Sequence, residues 1–316
     1  MAVRAIERIE GTEPGAVVKV AVPAGKLSGM VRLDTTAYLR RLRLPDPGFP
    51  SVDMLRALHE AHVERVAYEA LEIQLGRPTT VDPHESAERI LRRHRGGYCF
   101  HLNGAFSLLL DALGYDVVWH RAGVQNHSDP APVGADIANH LALTVHGMPS
   151  EECPSGDWLV DVGLGDALHA PIPLYEGSYV QGPFRYGLRR SEVEPGGWRL
   201  DHDPRGTFAG MDFRPQRATQ DDFRARHLHL STSPESGFVR TCSVQRRDAR
   251  GIDSLTGCVL SRLEDGERAR VTLDSSDEWF GALREVFDLP LDDVDSEART
   301  ALWRRVRAAH EAWLAA

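Results

Sequence analysis

Cysteine is scarce in this chain. The four present, Cys99, Cys153, Cys242 and Cys258, are widely spaced with no CxxC pair, which argues against a disulfide framework or a zinc site and leaves reduced thiols as the expectation. Long apolar runs are missing as well. None approaches the roughly 20 residues that a membrane span requires, and the first thirty residues, which mix Arg, Glu and Gly, lack the apolar core of a signal peptide. A cytoplasmic protein is expected. Positive charge is also in short supply: the formal net charge of -9 argues against general affinity for nucleic acid or an anionic membrane, both of which need a basic surface. Neither repeats nor low-complexity tracts occur.

What is present is an ordinary globular composition. With 316 residues, 42% of them hydrophobic and 26% charged, the chain can bury a sizeable core as one large domain or two to three packed ones. Residues 1–30 carry Gly and Pro without helical period and read as an extension, with a short strand at Val17–Val22. Helices are expected at Thr36–Leu44, Ser51–Val66 and Pro83–His94, the last announced by an N-cap, a proline at N1 and a glutamate at N3 in Asp82-Pro83-His84-Glu85. Arg95-Gly96-Gly97 breaks that helix, and another starts near Cys99 and stops at Gly114.

The pattern then turns strand-like. Strands are expected at Asp116–Val124, His140–Val145, Trp158–Val162, Trp198–His202, Phe238–Gln245, Gly257–Leu263 and Arg268–Leu273. Helices return at Ser276–Phe287 and Ser296–Leu314.

Cys99 at a helix start faces unpaired N–H groups and the positive end of the helix dipole, both of which favour thiolate over thiol. His140 and Asp161 follow on adjacent strand patterns. If those strands pair antiparallel with His140 opposite Asp161 or Gly163, the two side chains share a sheet face within hydrogen-bonding reach. A carboxylate there would orient the imidazole, and the set suits covalent acyl transfer. Taken singly, each residue reads more simply as a buried helix cysteine, a satisfied core histidine or a turn carboxylate.

Two other histidine pairs invite a metal. His59 and His62 are spaced i, i+3 rather than the i, i+4 of a zinc-protease helix, so a helix face is the better account. His227 and His229 would share one strand face, but no third ligand is apparent. No metal is expected.

The segments Arg95-Gly96-Gly97-Tyr98-Cys99-Phe100, Asn103, Phe106, Leu110, Leu113-Gly114, His140-Leu141 and Asp161-Val162-Gly163-Leu164-Gly165 together resemble the arylamine N-acetyltransferase family. Tyr68-Glu69 and Ser231-Thr232-Ser233-Pro234, with Phe238 after them, resemble two further family segments. The likeness spans about residues 35–290. It implies an α+β fold with a helical bundle (residues 31–114) carrying the nucleophile, a central β-barrel (115–215) carrying His and Asp, and a C-terminal α/β lid (216–316).

The resemblance also implies a catalytic triad of Cys99, His140 and Asp161. In the implied ping-pong reaction, acetyl-coenzyme A acylates Cys99 and an arylamine or arylhydrazine takes the acetyl group. Gly163, Leu164 and Gly165 match the family's loop near the acyl donor, Phe238 contributes to the acceptor wall, and His229 stands near coenzyme A. The chain departs from the family pattern at Leu164 (usually Phe), His101 (often Glu), Ala70 (often Asn) and His229 (often aromatic). An amide synthase using a bulkier acyl thioester is the alternative with the same triad, and a cysteine peptidase or transglutaminase-like hydrolase is the more distant one.

Overall fold

The computed structural model describes residues 32–46 and 48–315. The expected strand at Val17–Val22 and the extension 1–30 lie outside them. Contacts divide the chain after Arg32, and the description concerns the unit from Leu33 onward.

Five helices come first: α1 (Thr35–Leu42), α2 (Val52–Arg65), the short α3 (Leu71–Gln74), α4 (Pro83–Arg93) and α5 (Cys99–Ala112). Their starts follow from side chains that accept the orphan N–H groups of the first turn. Asp34 caps α1 at 2.9 Å, Ser51 caps α2 at 3.2 Å and Asp82 caps α4 at 2.8 Å. Helix α5 is buried on all sides. Leu102, Ala105, Phe106, Leu109 and Leu110 are fully enclosed, as expected for a helix apolar all round.

The middle of the chain builds an eight-stranded antiparallel sheet from β2 (Asp116–Gln125), β3 (His140–His146), β4 (Trp158–Val160), β5 (Ile172–Pro173), β6 (Gly177–Gln181), β7 (Phe184–Arg190), β8 (Trp198–Asp201) and β9 (Gly210–Arg217). Its order is β5-β4-β3-β2-β9-β8-β7-β6. The two edge strands, β5 and β6, are joined by residues 174–176 alone, so the edges must meet. Tyr179 Oη on β6 donates to the Pro173 carbonyl on β5 at 3.1 Å, and Gln181 Nε2 donates to Ala170 O at 2.9 Å. The sheet thus curls into a nearly closed barrel around Phe184, Tyr186, Leu188, Leu200, Met211 and Phe213. Curling also satisfies edges that would otherwise template aggregation.

A second sheet has the order β1-β10-β11-β12-β13. Its strands β10 (Ser243–Arg247), β11 (Gly251–Thr256), β12 (Val259–Glu264) and β13 (Glu267–Thr272) are late in the chain, while β1 (Tyr68–Glu69) comes from the helical segment. Helices α6 (Asp221–Thr232), α7 (Gly237–Arg240), α8 (Ser276–Phe287) and α9 (Ser296–Leu314) follow the barrel, α6 packing through Phe223 on the first helices and α8 and α9 on the second sheet. Trp279, Leu283, Phe287, Leu302 and Val306 belong to the core there. No helix among the described residues is long and apolar enough to cross a membrane.

Two expectations are corrected. His227-Leu228-His229 belongs to helix α6, not a strand, so the two imidazoles do not share a face. Phe238 is in the helical turn α7, and the strand expected from it starts only at Ser243. In both segments local apolar composition suited a strand, but Ser236 caps a turn through the Phe238 N–H at 3.2 Å, and helical hydrogen bonding wins locally.

Candidate active site

Paired glycines before Cys99 are demanded by crowding. A Cβ on Gly96 would fall 1.8 Å from the Ala67 carbonyl oxygen, and Gly97, at φ +154°, would meet the His101 ring at 2.6 Å. The loop they form docks on β1: Gly97 O accepts from the Glu69 N–H at 3.0 Å. Arg95, fully buried, pairs with Glu69 at 3.3 Å and Glu72 at 3.1 Å, and buried Arg89 donates from Nε to Gly96 O at 3.2 Å. The two segments Tyr68-Glu69 and Arg95-Gly96-Gly97 therefore form one buried unit that fixes where α5 begins.

His101 supplies the start of α5 in an uncommon way. Its Nδ1 accepts the Tyr98 N–H at 3.3 Å, the contact a glutamate at the third helical position makes in a capping box. Only a neutral ring can accept there. Burial, then the charges of Arg89 and His227, hold the His101 pKa well below the usual value. Tyr98 turns the other way and donates to His227 Nδ1 at 2.5 Å, while His227 Nε2 donates to Thr79 O at 2.7 Å.

Cys99 is buried at the first residue of α5, with Sγ 3.6 Å from the Asn139 carbonyl. Strands β3 and β4 pair with Leu143 opposite Val160, and that register, continued, sets His140 across from Gly163 and diagonal to Asp161. His140 Nε2 and Asp161 Oδ2 are 2.7 Å apart. Burial would push the His140 pKa down, but the Asp161 carboxylate, and after it a negative charge on Cys99, carry it up to about 10. The structure thus brings Cys99, His140 and Asp161 into one buried cluster.

Asp161 is held from every side. Its Oδ1 accepts from Asn103 Nδ2 at 2.7 Å and from Gly163 N at 2.9 Å, and its own N–H points to His59 Nε2 at 3.2 Å. In the sequence Asn103 belongs to a family segment without an assigned role, and His59 reads as part of a helix face rather than as a metal ligand. A polar residue one turn after Cys99 on an otherwise apolar helix was the available signal for Asn103. No local signal could have assigned His59, which meets Asp161 only through the fold.

The remaining site residues separate into two groups. Gly163 packs on the start of α5, and Gly165, at φ +65°, presses on Gln245, whose Oε1 would lie 2.1 Å from a Cβ there. Phe238 stacks on Tyr98 with centroids 4.9 Å apart. By contrast, the Leu164 side chain is buried with the barrel core, and the half-buried His229 ring makes no hydrogen bond among the described residues. No group of three or more His, Cys, Asp or Glu among the described residues is arranged to hold a metal ion.

Known proteins place this architecture among the acyltransferases. A family model described as N-acetyltransferase matches residues 51–296. The arylamine N-acetyltransferase of Mycobacterium bovis is 31% identical over 280 residues, spanning 87% of this chain and 95% of the relative. A Salmonella typhimurium protein named arylamine N-acetyltransferase / N-hydroxyarylamine O-acetyltransferase is 32% identical over 82% of this chain and 89% of its own length. The solved structure of Mycobacterium marinum arylamine N-acetyltransferase in complex with CoA superposes with a TM-score of 0.76 at 27% identity, covering 87% of this chain and 99% of that one. The chain belongs to the arylamine N-acetyltransferase family.

Proposed function

We propose that this protein moves an acetyl group from acetyl-coenzyme A to the nitrogen of an arylamine or arylhydrazine through an acyl-Cys99 intermediate. The observation that carries the reading is the buried hydrogen bond of 2.7 Å between His140 and Asp161, beside a cysteine at a helix start. Because Nε2 of His140 is taken by Asp161, Nδ1 is the nitrogen available to Cys99 and its substrates.

The Cys99 thiolate attacks the thioester carbonyl, and the oxyanion is met by backbone N–H groups at the start of α5. The C–S bond to coenzyme A breaks, and the departing thiolate takes the proton from the His140 imidazolium. Coenzyme A leaves. The amine then attacks the acyl-Cys99 carbonyl and passes a proton to His140, and the C–S bond to Cys99 breaks, restoring the thiolate–imidazolium pair. Asp161 keeps the ring oriented and its cationic form favoured throughout.

The test is intact-mass measurement of the full chain with acetyl-coenzyme A, followed by an arylamine. The reading requires a single acetyl adduct that maps to Cys99, is absent from Cys99→Ala and disappears when amine is added. An adduct from a long-chain thioester but none from acetyl-coenzyme A would reassign the protein to the amide-synthase reading. Peptide hydrolysis with no thioester present would point to the hydrolase.

A further inference from the structure

Asp161 leaves the ladder that β4 makes with its neighbours. Strand β4 stops at Val160 and β5 does not begin until Ile172, and into this gap projects one ring from a distant helix. His59, in the middle of α2 and fully buried, has Nε2 3.2 Å from the Asp161 N–H and Nδ1 2.8 Å from the His169 carbonyl. A backbone N–H only donates and a carbonyl only accepts, so the ring carries its hydrogen on Nδ1 and a lone pair on Nε2. Burial holds its pKa down to about 4, against the raising effect of its His169 and Asp161 contacts. The Phe106 ring meets it edge-on at 6.1 Å.

The two backbone groups it joins are the two ends of one loop. Residues 161–169 contain Gly163-Leu164-Gly165, and the imidazole closes that loop as a rigid spacer with an acceptor at one end and a donor at the other. His169 is itself anchored, through Nε2 and Glu64 Oε1 at 2.9 Å. We infer that His59 is a positioning residue for Asp161, stapling the loop so that the carboxylate meets His140. The inference rests on the acyl-Cys99 reading. A merely space-filling histidine would not need both nitrogens spent on the ends of the loop that carries Asp161.

Two substitutions separate the roles. His59→Leu fills much of the space but offers neither donor nor acceptor, whereas His59→Gln keeps one of each. Single-turnover acylation of Cys99 by acetyl-coenzyme A is the readout, with the wild-type protein as the control. If wild type forms no acyl-Cys99, the functional reading fails and the staple is judged by its tautomer alone. With wild type active, His59→Leu is expected to acylate about 10- to 100-fold more slowly, the size of effect seen when the hydrogen-bond partner that orients a metal ligand is lost, with little change in the acetyl-coenzyme A concentration that half-saturates the rate. The alkaline limb of its pH profile should move to lower pH, because a loosened Asp161 supports the His140 cation less. His59→Gln should recover most of the rate.

Wild-type acylation rates in His59→Leu, or equal impairment in both variants, would overturn the inference. Should His59→Leu fail to fold, nitrogen-15 NMR of the wild type decides. A neutral His59 protonated on Nδ1 at pH 7 is required, and an Nε2-protonated or charged ring refutes the staple.

Discussion

Asn103 Nδ2 donates to Asp161 Oδ1 at 2.7 Å, and the same amide spans two strand ends, donating to Leu141 O at 2.6 Å and accepting from Val162 N at 2.9 Å. One side chain on the Cys99 helix thus ties β3, which carries His140, to the segment just after β4 that carries Asp161. Replacing it with leucine keeps the volume but strands buried groups, each worth about 1–3 kcal/mol when left unsatisfied. Asn103→Leu is expected to lose about 3 kcal/mol in urea unfolding and to slow Cys99 acylation. Asn103→Asp should be worse, because a second carboxylate would face Asp161.

Gly163 is required by its neighbour rather than by its own backbone angles. A Cβ there would lie 2.8 Å from Cα of Cys99 and 3.1 Å from its carbonyl oxygen, both backbone atoms that cannot swing aside. Gly163→Ala should cost about 1–3 kcal/mol, the usual range for overpacking, and push the Cys99 helix away from His140. Thermal unfolding reads the first effect, and the acylation rate the second.

Arg95 is wholly enclosed with Glu69 and Glu72, and Asp293 lies 3.7 Å away. Removing one member of a buried ion pair leaves charge uncompensated, at about 3–5 kcal/mol. Arg95→Leu is expected to fall in that range by chemical denaturation. Arg95→Lys should rescue it only partly, since an ammonium lacks the planar fork that reaches two carboxylates at once.

The pH dependence of stability has a definite sign. His140 titrates near 6.5 in the unfolded chain and at about 10 in the folded one, so between those values the folded state holds a proton that the unfolded state has released. The stabilisation is complete below about pH 6.5 and is lost as pH rises through about 10. Urea midpoints measured from pH 6 to 10.5 should fall for the wild type. The fall should be shallower for Asp161→Asn, which removes the largest raising influence on His140.

How much could be read beforehand varied with the range of the interactions involved. The helices at Ser276–Phe287 and Ser296–Leu314 were expected with the bounds observed, because Ser275, Glu278 and Asp295 satisfy the first-turn N–H groups from within a few residues. Strands β6, β7, β9 and β11 were not anticipated. In β7 burial alternates, with Phe184, Tyr186 and Leu188 inward and Arg185 outward, but that inward face exists only once the barrel closes. His227 went astray because its pattern suits a strand until Tyr98 and Thr79, distant in sequence, claim its two nitrogens.

The sequence by itself determined the local items: a cysteine at a helix start after two glycines, and the side-chain caps that begin α1, α2, α4, α8 and α9. These depend on contacts a few residues long. Tertiary structure alone decided that Arg95 would be neutralised by Glu69 and Glu72, that Leu164 would turn into the barrel core, and that His59 would reach Asp161 across 102 positions of chain. Such pairings are chosen when desolvation forces every buried polar group to find a partner, and which partner is nearest is known only after the chain has packed.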